Sequence, residues 1–412
     1  MNILIVNTSD NEGGAARAAY RLHKALLAAG VESQMLVQSK FSDDIAVIGP
    51  HTKVQQALGR LRSILDSIPV RCYPKRTRTL FSPSWLPFAG MVEKINALNP
   101  DVVHLHWIAG GMLRIEDLAK ISAPIVWSLH DMWAFTGGCH YDEECGRFKT
   151  RCGMCPVLGS NKALDLSRKL VLLKQASFSK HPNLTIIGLS QWLASQAKAS
   201  WLFRQTPVVN LPNPIDTTLF SPFDKRQARR LFNFPLGKKL VLFGAMGATT
   251  DPRKGFKELE QALAQLDSDN IELIVFGSSQ PKAPQCFKQK THYLGQLHDD
   301  LSLRVLYSAA DVMVVPSLQE NLSNAIMESL ACGTPVVGFG VGGNSDLIEH
   351  EQTGFLAKPF QVSDLAFGLD WVLNAPNYND LCQNARDKVL SEFDSKVVVE
   401  KYVALYDKVI KG

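Results

Sequence analysis

The chain has 412 residues, of which 46% are hydrophobic and 20% charged, a balance typical of globular proteins. Its net charge of +5 is small for this length and gives no indication of nucleic-acid binding. No apolar run approaches the roughly 18 residues of a transmembrane helix, and the first residues do not resemble a signal peptide, so we expect a cytoplasmic protein of two domains.

Short apolar runs alternate with helical patterns through the N-terminal half. Residues 3–6 predict a buried strand, and a loop with Gly13 and Gly14 leads from it into helical periodicity that stops at Gly30. Further predicted strands lie at 31–38, 102–105 and 125–129. Strands that alternate with helices in this way are typical of a parallel sheet. His130 directly follows the last of these strands.

Residues 51–90 form a basic and apolar segment, with seven Lys or Arg residues against a single acid, Asp66. Apolar residues such as Leu58, Leu61 and Trp85 are interleaved with the charges. This combination predicts docking on an anionic membrane surface. An amphipathic helix with a solvated basic face explains it equally well, and both interpretations remain open.

Residues 137–158 form a polar, glycine-containing insert with four cysteines in the pattern C-x5-C-x6-C-x2-C. They are Cys139, Cys145, Cys152 and Cys155. Because disulfides are rare in the cytoplasm, such a cluster indicates a structural zinc ion. The C-x5-C spacing is not a standard zinc-binding spacing, so free thiols or a redox pair remain an alternative. In either case we expect a structural role.

The alternation of strands and helices restarts after a proline-punctuated stretch at 211–236. Apolar runs predict strands at 240–243, 271–276, 312–315 and 335–338, and helical patterns occur at 256–266 and 396–410. We therefore predict an α/β protein of two Rossmann-like domains. Their bounds are 1–210 and 211–395, followed by a C-terminal helix at 396–412.

The most informative stretch runs from Pro316 to Val337, where a strand, a polar loop, a helix, a glycine and another strand follow in order. Its loop is expected at the carboxyl edge of a parallel strand, where open α/β sheets bind ligands. Backbone N–H groups at the start of the helix favour phosphate. Glu320 in the loop and Glu328 in the helix can accept hydrogen bonds from sugar hydroxyls.

These two glutamates and the following Gly333-Thr334-Pro335-Val336-Val337 give the pattern E-x7-E…G-x-P-V-V. The pattern resembles that of the family 4 retaining glycosyltransferases, which have the GT-B fold of two Rossmann-like domains facing across a cleft. The resemblance spans nearly the whole chain, and the cysteine insert is similar to one in members that build bacterial exopolysaccharides such as colanic acid. Pro214, Ala248 and Asp346 depart from the usual family residues.

The resemblance assigns the donor site to the C-terminal domain. It implies that Glu320 binds hydroxyls of the donor sugar and that Glu328 binds the ribose. The backbone amides of Leu322 and Ser323 would face the diphosphate, and Lys254 would offset its charge without a catalytic metal ion.

The remaining candidate residues also come from the resemblance. Arg253 could supply the second cation that Ala248 lacks. Gly13 and Gly14 would let the first loop of the N-terminal domain approach the donor phosphates and the acceptor. His130 would donate to a sugar hydroxyl or steady an oxocarbenium-like transition state.

The implied activity is hexosyl transfer, with retention, from a UDP- or GDP-sugar to a glycan or lipid-linked glycan in cell-surface polysaccharide biosynthesis. Such an enzyme could act at the inner face of the membrane as a peripheral protein, with its C-terminal helix packed back on the acceptor-binding N-terminal domain. A degenerate binding or scaffold protein is the alternative, because some motif residues are substituted. A sugar-nucleotide epimerase is less compatible with the glutamate pair and Lys254.

Overall fold

A computed structural model describes residues 1–50, 52–87, 90–244, 247, 251–266, 269–277, 287–297 and 299–412. The chain divides into two compact units. Unit 1 consists of Met1–Asn213 and Val399–Gly412, and unit 2 consists of Pro214–Val398. Ala248, a substituted motif position, lies outside the described residues, as do residues 51, 88 and 89 of the basic segment.

Unit 1 alternates strands and helices. Its strands are β1 (Asn2–Ser9), β2 (Glu32–Ser39), β3 (Val47–Ile48), β4 (Val102–Leu105), β5 (Ile125–Leu129), β6 (Leu184–Gly188) and β7 (Val208–Asn210). Its helices are α1 (Gly14–Ala28), α2 (Lys53–Asp66), α3 (Ile68–Arg71), α4 (Met91–Ala97), α5 (Leu166–Phe178) and α6 (Gln191–Ala199). The helix α14 (Ser395–Lys411) begins in unit 2 and contributes most of its length to unit 1.

Unit 2 repeats the alternation. Its strands are β8 (Lys239–Gly244), β9 (Ile271–Phe276), β10 (Lys290–Tyr293), β11 (Val312–Val315), β12 (Val336–Phe339) and β13 (Gly354–Ala357). Its helices are α7 (Lys225–Leu231), α8 (Phe256–Leu263), α9 (Asp300–Ala309), α10 (Asn324–Ala331), α11 (Asn344–Leu347), α12 (Val362–Leu373) and α13 (Tyr378–Glu392). The predicted strands at 271–276 and 312–315 match β9 and β11 to the residue.

Each unit contains one sheet whose described strands all pair in parallel. The strand order is β3-β2-β1-β4-β5-β6-β7 in unit 1 and β10-β9-β8-β11-β12-β13 in unit 2. In both sheets the chain adds strands on one side of the first strand and then crosses to the other side. This is the doubly wound order of Rossmann folds, and it confirms the predicted fold class of two parallel-sheet α/β domains.

The central strands are buried on both faces, as expected where helices cover each face of a parallel sheet. Every residue of strands β4, β5, β9 and β11 is buried. Within unit 1, the Tyr406 hydroxyl of α14 lies 2.7 Å from His104 Nδ1 on β4, and both side chains are buried. Among the described residues, no helix is both long enough and apolar enough to cross a bilayer.

Candidate functional site

The sheet of unit 2 changes its winding direction between β8 and β11, which are neighbours in the sheet. Ligands of doubly wound sheets bind beyond the carboxyl ends of the strands at such a switch point. The segments that follow these two strands carry Lys254 and Glu320, respectively. The two sequence-predicted residues therefore reach the same edge of the sheet from different strands.

Backbone contacts join the two segments. The Leu318 amide donates to the Arg253 carbonyl at 2.8 Å. Gly255 has a φ of +70°, and a Cβ atom there would lie 1.8 Å from the Pro316 carbonyl oxygen. Only glycine permits this approach, so the Lys-Gly pair positions the lysine as well as carrying its charge.

Lys254 and Glu320 form an ion pair. Lys254 Nζ lies 2.9 Å from Glu320 Oε2, and the two side chains are 24% and 13% exposed. The Ser317 hydroxyl lies 3.5 Å from the same carboxylate oxygen. An ion pair that solvent can still reach stabilises the fold little. It does place a cation and a hydrogen-bond acceptor side by side at the ligand-binding edge.

Arg253 forms an ion pair with Asp251, whereas Lys254 pairs with Glu320. Its guanidinium donates to both carboxylate oxygens of Asp251, at 2.7 and 3.1 Å. Asp251 also caps the short 3-10 turn Pro252–Lys254 through the Arg253 amide. As placed, Arg253 holds the shape of the loop that presents Lys254.

Glu328 lies on α10 and is almost completely buried, with 4% exposure. The Tyr307 hydroxyl donates to Glu328 Oε2 at 2.7 Å, and the Thr334 hydroxyl donates to the Tyr307 carbonyl at 2.8 Å. Leu322 and Ser323 directly precede α10, and the Ser323 hydroxyl caps the helix by accepting from the Ile326 amide. The start of α10 is the positive end of the helix dipole, which suits an anion.

In unit 1, Gly13 lies between β1 and α1 with a φ of +99°, a conformation that favours glycine. A Cβ atom at Gly13 would meet no other atom within 4 Å. Gly14 begins α1. The loop after β1 therefore leaves open space over Gly13 at the switch point between β1 and β4 of this sheet.

His130 follows β5 and contacts a second histidine. Its Nε2 lies 2.9 Å from Nδ1 of His106, which follows β4. Burial lowers the pKa of His130 to about 4 and holds the pKa of His106 well below its ordinary value. Both rings are therefore neutral near pH 7, and a neutral imidazole has a single N–H to donate.

The residue after His130 connects this region to the cysteine insert. Asp131 accepts from His140 Nδ1 at 2.7 Å and from the Trp107 indole at 3.0 Å. His140 Nε2 lies 2.8 Å from the Ser82 hydroxyl. His140 directly follows Cys139, so the strand end that carries His130 is tied to the insert through a buried polar network.

The four cysteines of the insert line one cavity of about 10 Å³. All four are free thiols. In the part of the chain that the structure describes, no group of three or more His, Cys, Asp or Glu side chains is spaced to hold a metal ion. The zinc prediction therefore rests on which side chains line the cavity, and it stays a prediction.

The basic segment forms α2, whose apolar side chains point outward. Gly59 and Asp66 are its buried residues, whereas Val54, Leu58 and Ile64 are 69%, 53% and 54% exposed. Arg62 attaches the helix to unit 1 through the carbonyl oxygens of Gly111 and Pro87, at 3.0 and 2.8 Å. The expected ordinary amphipathic helix would bury its apolar face, which this helix does not.

Three positions near these residues were missed by the sequence interpretation. His106 contacts His130, and the Tyr307 hydroxyl donates to Glu328. The third position is Gly342, which has a φ of +55°. A Cβ atom at Gly342 would lie 1.7 Å from the Glu320 carbonyl oxygen. His106 directly follows a predicted strand at 102–105, so the strand-end rule could have found it. Tyr307 lies in a helix and carries no such signal.

Fold and site together define a two-unit α/β protein of the nucleotide-binding type, with a cation and two carboxylates at one switch point. Residues 12–219 match the family model described as Glycosyltransferase Family 4, and residues 237–375 match that of Glycosyl transferases group 1. The chain belongs to glycosyltransferase family 4, and it is a glycosyltransferase.

Individual relatives agree with this assignment. An uncharacterized glycosyltransferase of Methanocaldococcus jannaschii is 25% identical over 343 residues, covering 76% of this chain and 85% of the relative. The D-inositol 3-phosphate glycosyltransferase of Mycobacterium tuberculosis is 30% identical over 305 residues, which are 71% of this chain and 56% of that protein. The chain thus matches little more than half the length of the mycobacterial relative.

Solved structures share the fold. Sucrose-phosphate synthase from Thermosynechococcus elongatus has a TM-score of 0.70 at 19% identity and covers both chains completely. HepE of Anabaena in complex with UDP and glucose has a TM-score of 0.65 at 18% identity and covers 99% of each chain. These neighbours are glycosyltransferases of the GT-B fold.

Proposed function

We propose that this chain is a retaining hexosyltransferase that takes its sugar from a UDP- or GDP-sugar and passes it to a glycan or lipid-linked glycan. The observation that carries the proposal is the pair of Lys254 and Glu320 at the switch point of unit 2. A nucleotide-sugar presents a diphosphate beside sugar hydroxyls, and this pair offers a cation beside an acceptor for hydroxyls.

Lys254 meets the chemical need of the leaving group. Departure of a nucleoside diphosphate builds up negative charge on its phosphate oxygens, and a positioned ammonium stabilises that charge in the transition state. Donor binding would exchange the 2.9 Å contact with Glu320 for a contact with the diphosphate. In this proposal the lysine serves in place of a catalytic metal ion.

The freed Glu320 carboxylate would then accept hydrogen bonds from the donor sugar. Glu328 would accept from the ribose, because it is held in one position by Tyr307 at 2.7 Å. The amides of Leu322 and Ser323, at the start of α10, would donate to the phosphates. In this proposal the carboxylates accept hydrogen bonds from hydroxyls, and the amides donate hydrogen bonds to phosphates.

His130 would serve the sugar as a neutral donor. Because burial lowers its pKa to about 4, the ring carries no charge near pH 7. A neutral imidazole can donate to a hydroxyl without repelling a positively charged, oxocarbenium-like transition state. For retention of configuration we propose attack from the face of the departing phosphate, which itself accepts the acceptor proton.

The nucleotide is either UDP or GDP, and UDP is the first to test. HepE has been solved with UDP, with UDP-glucose and with UDP and glucose, and the pneumococcal O-GlcNAc transferase GtfA has been solved with UDP and GlcNAc. These neighbours share the fold of this chain at 13–18% identity. Their ligands supply the first compounds for a donor panel.

A thermal-shift panel tests the donor site directly. We expect one of UDP, GDP or their sugars to stabilise the protein, by roughly 2.7 kcal/mol at 100 times the dissociation constant. Glu328→Ala is expected to lose this response, whereas Glu400→Ala, which alters an exposed glutamate on α14, is expected to keep it. Stabilisation that is equal in both variants would contradict the assignment of Glu328 to the nucleotide.

Radiolabelled or mass-detected transfer separates the enzyme from the alternatives. Transfer of the sugar to a glycan acceptor, or slow donor hydrolysis, supports the transferase. Donor binding with neither reaction would support the degenerate scaffold, and conversion of the donor into its epimer would support an epimerase.

We also propose that α2 brings the enzyme to a lipid-linked acceptor at an anionic membrane surface. Six of the seven basic residues in this segment are exposed: Lys53, Arg60, Arg71, Lys75, Arg76 and Arg78. Lys53 and Arg60 lie on α2 itself, and Arg71 lies at the end of the adjoining α3. Basic residues around an apolar helix face match the anionic head groups and the acyl chains of such a surface.

Vesicle flotation tests the membrane surface. The protein is expected to bind vesicles that contain anionic lipid, to bind neutral vesicles weakly, and to release as salt screens the charges. Leu58→Asp with Ile64→Asp should weaken binding by about tenfold or more, because two apolar contacts are lost. The matched control is Leu390→Asp, which alters an exposed leucine of unit 2. Equal binding by both variants would refute the role of α2.

A further inference from the structure

The cysteine insert forms a second site, separate from the residues proposed to bind the donor. Its cavity lies within unit 1 and is lined by the thiols of Cys139, Cys145, Cys152 and Cys155. At about 10 Å³ the cavity has room for one water-sized occupant. Four cysteines are also the ligand set of many structural metal sites.

Three of the four sulfurs accept a hydrogen bond from a backbone amide. The Arg147 amide donates to Cys145, two positions before it in the chain, and the Val157 amide donates in the same way to Cys155. The Cys152 sulfur accepts from the Gly137 amide. Donors directed at sulfur orient the ligands of metal ions. Burial outweighs these donors and raises the pKa of all four thiols.

The backbone of the insert is constrained near the cysteines, and Phe148, Val157 and Leu158 anchor it in the core of unit 1. Cys152 and Met154 adopt φ angles of +49° and +46°, and Glu143 and Glu144 also have positive φ. Non-glycine residues persist in this conformation only where the surroundings over-determine it. Arg168 and Arg147 hold this backbone by donating to the carbonyl oxygens of Cys152 and Gly153, and a bound ion that cross-links the four sulfurs would add to that constraint.

A buried lysine stands next to the sulfurs, and burial lowers its pKa to about 7. Lys174 is completely buried, and its ammonium donates to the carbonyl oxygens of Trp133 and Thr136. Its charged or ionisable neighbours include Cys139 and Cys152. A divalent ion held by four thiolates is a net anion, so a buried ammonium beside it offsets the charge that burial would otherwise penalise.

We propose that Cys139, Cys145, Cys152 and Cys155 bind one structural zinc ion. Zinc suits an all-thiolate set because it is a borderline-soft ion without redox chemistry and accepts tetrahedral coordination. The sulfurs line the cavity without standing at coordinating distance of a common point, so the ion has to draw them in to Zn–S distances of about 2.3 Å. The absence of any disulfide among the four leaves all of them available as ligands.

The zinc would brace the strand end that carries His130. His140, next to Cys139, bonds to Asp131, and the Cys139 carbonyl accepts from the Thr136 hydroxyl. Loss of the ion is therefore expected to loosen residues 131–140 of unit 1. Stabilisation by a nucleotide bound to unit 2 does not depend on the zinc ion. The zinc proposal can therefore fail while the donor-site proposal stands, and the donor-site proposal can fail while the zinc proposal stands.

Metal analysis of the full chain, purified without chelator from zinc-supplemented medium, tests the proposal. We expect one equivalent of zinc per chain by plasma mass spectrometry. Cobalt substitution should give thiolate-to-metal charge-transfer bands and the intense visible bands of a tetrahedral site. Cys152→Ser with Cys155→Ser should abolish both signals, whereas Cys72→Ser, which alters an exposed cysteine outside the cluster, should keep them.

A second measurement covers the case in which the double variant does not fold. In the wild-type chain, titration with a mercurial reagent should release the zinc in step with modification of four thiols, and the melting temperature should fall. The proposal is overturned if the wild type contains no zinc, if it holds iron instead, if Cys72→Ser and the double variant retain equal zinc, or if non-reducing peptide mapping finds a disulfide within the cluster.

Discussion

Replacing Lys254 with alanine is expected to lower kcat by about 10²–10³, the loss that follows removal of one group that stabilises developing charge. The reason is that Lys254 is the cation that the structure places beside Glu320 at the switch point, 2.9 Å from its carboxylate. The melting temperature should change little, because the ion pair is partly exposed and stabilises the fold weakly. Initial rates with saturating donor and acceptor measure the effect.

Lys257→Ala provides the control. Lys257 is exposed and lies three positions further on, within α8, so its loss removes the same charge from the surface. It should transfer sugar at the wild-type rate. If both variants retain full activity, the diphosphate charge is met by another group, and the role given to Lys254 is wrong.

A double variant that combines Lys254→Ala with Glu320→Gln tests whether Lys254 and Glu320 act on one another or on the donor. Glu320→Gln alone should raise the KM for the donor sugar and lower kcat, because the amide accepts hydrogen bonds less strongly than the carboxylate. If the two residues serve the same transition state, the double variant should lose less activity than the two single losses combined. Full additivity would indicate that their contact has no consequence for catalysis.

The strands and the approximate place of Glu320 and Glu328 could be predicted from the sequence, because each signal is local. Buried parallel strands are short apolar runs, so 271–276 and 312–315 could be located to the residue. A loop that follows such a strand lies at the carboxyl edge by topology alone. The pattern around Glu320 needed no long-range information.

The partners of these residues could not be predicted, because they depend on contacts between distant segments. Lys254 and Glu320 are 66 positions apart, and His106 meets His130 across two neighbouring strands. The partner of Arg253 could not be predicted either. Its charge suggested a second cation for the donor, yet its guanidinium is bonded to Asp251 two positions away.

The outward face of α2 shows a second limit of prediction from sequence. Its periodicity defines an apolar stripe, but periodicity cannot say whether the stripe faces a core or solvent. Leu58 and Ile64 are more than half exposed because the helix lies against unit 1 through the side that carries Gly59, Arg62 and Asp66. Charged side chains usually mark the solvated face of a helix, but here Arg62 and Asp66 anchor α2 to unit 1.

Gly342→Ala is expected to reduce transfer by about 10²-fold, because displacement of a binding group by about 1 Å can cost that much. A methyl group at this position would lie 1.7 Å from the Glu320 carbonyl oxygen, so the loop that carries Glu320 has to move. The φ of +55° adds backbone strain of about 1–2 kcal/mol for any residue with a Cβ atom. Both the melting temperature and the affinity for donor sugar should therefore fall.

Gly340→Ala separates this effect from general loosening of the same loop. Its Cβ atom would meet the Leu356 side chain at 3.4 Å, an ordinary van der Waals contact, and its φ lies outside the left-handed region. This variant should keep both stability and transfer. UDP or GDP alone should still stabilise Gly342→Ala, since Glu328 and Tyr307 lie on helices that the substitution does not touch. Unchanged transfer by Gly342→Ala would mean that Glu320 does not need its present position, and its assignment to the donor sugar would fall.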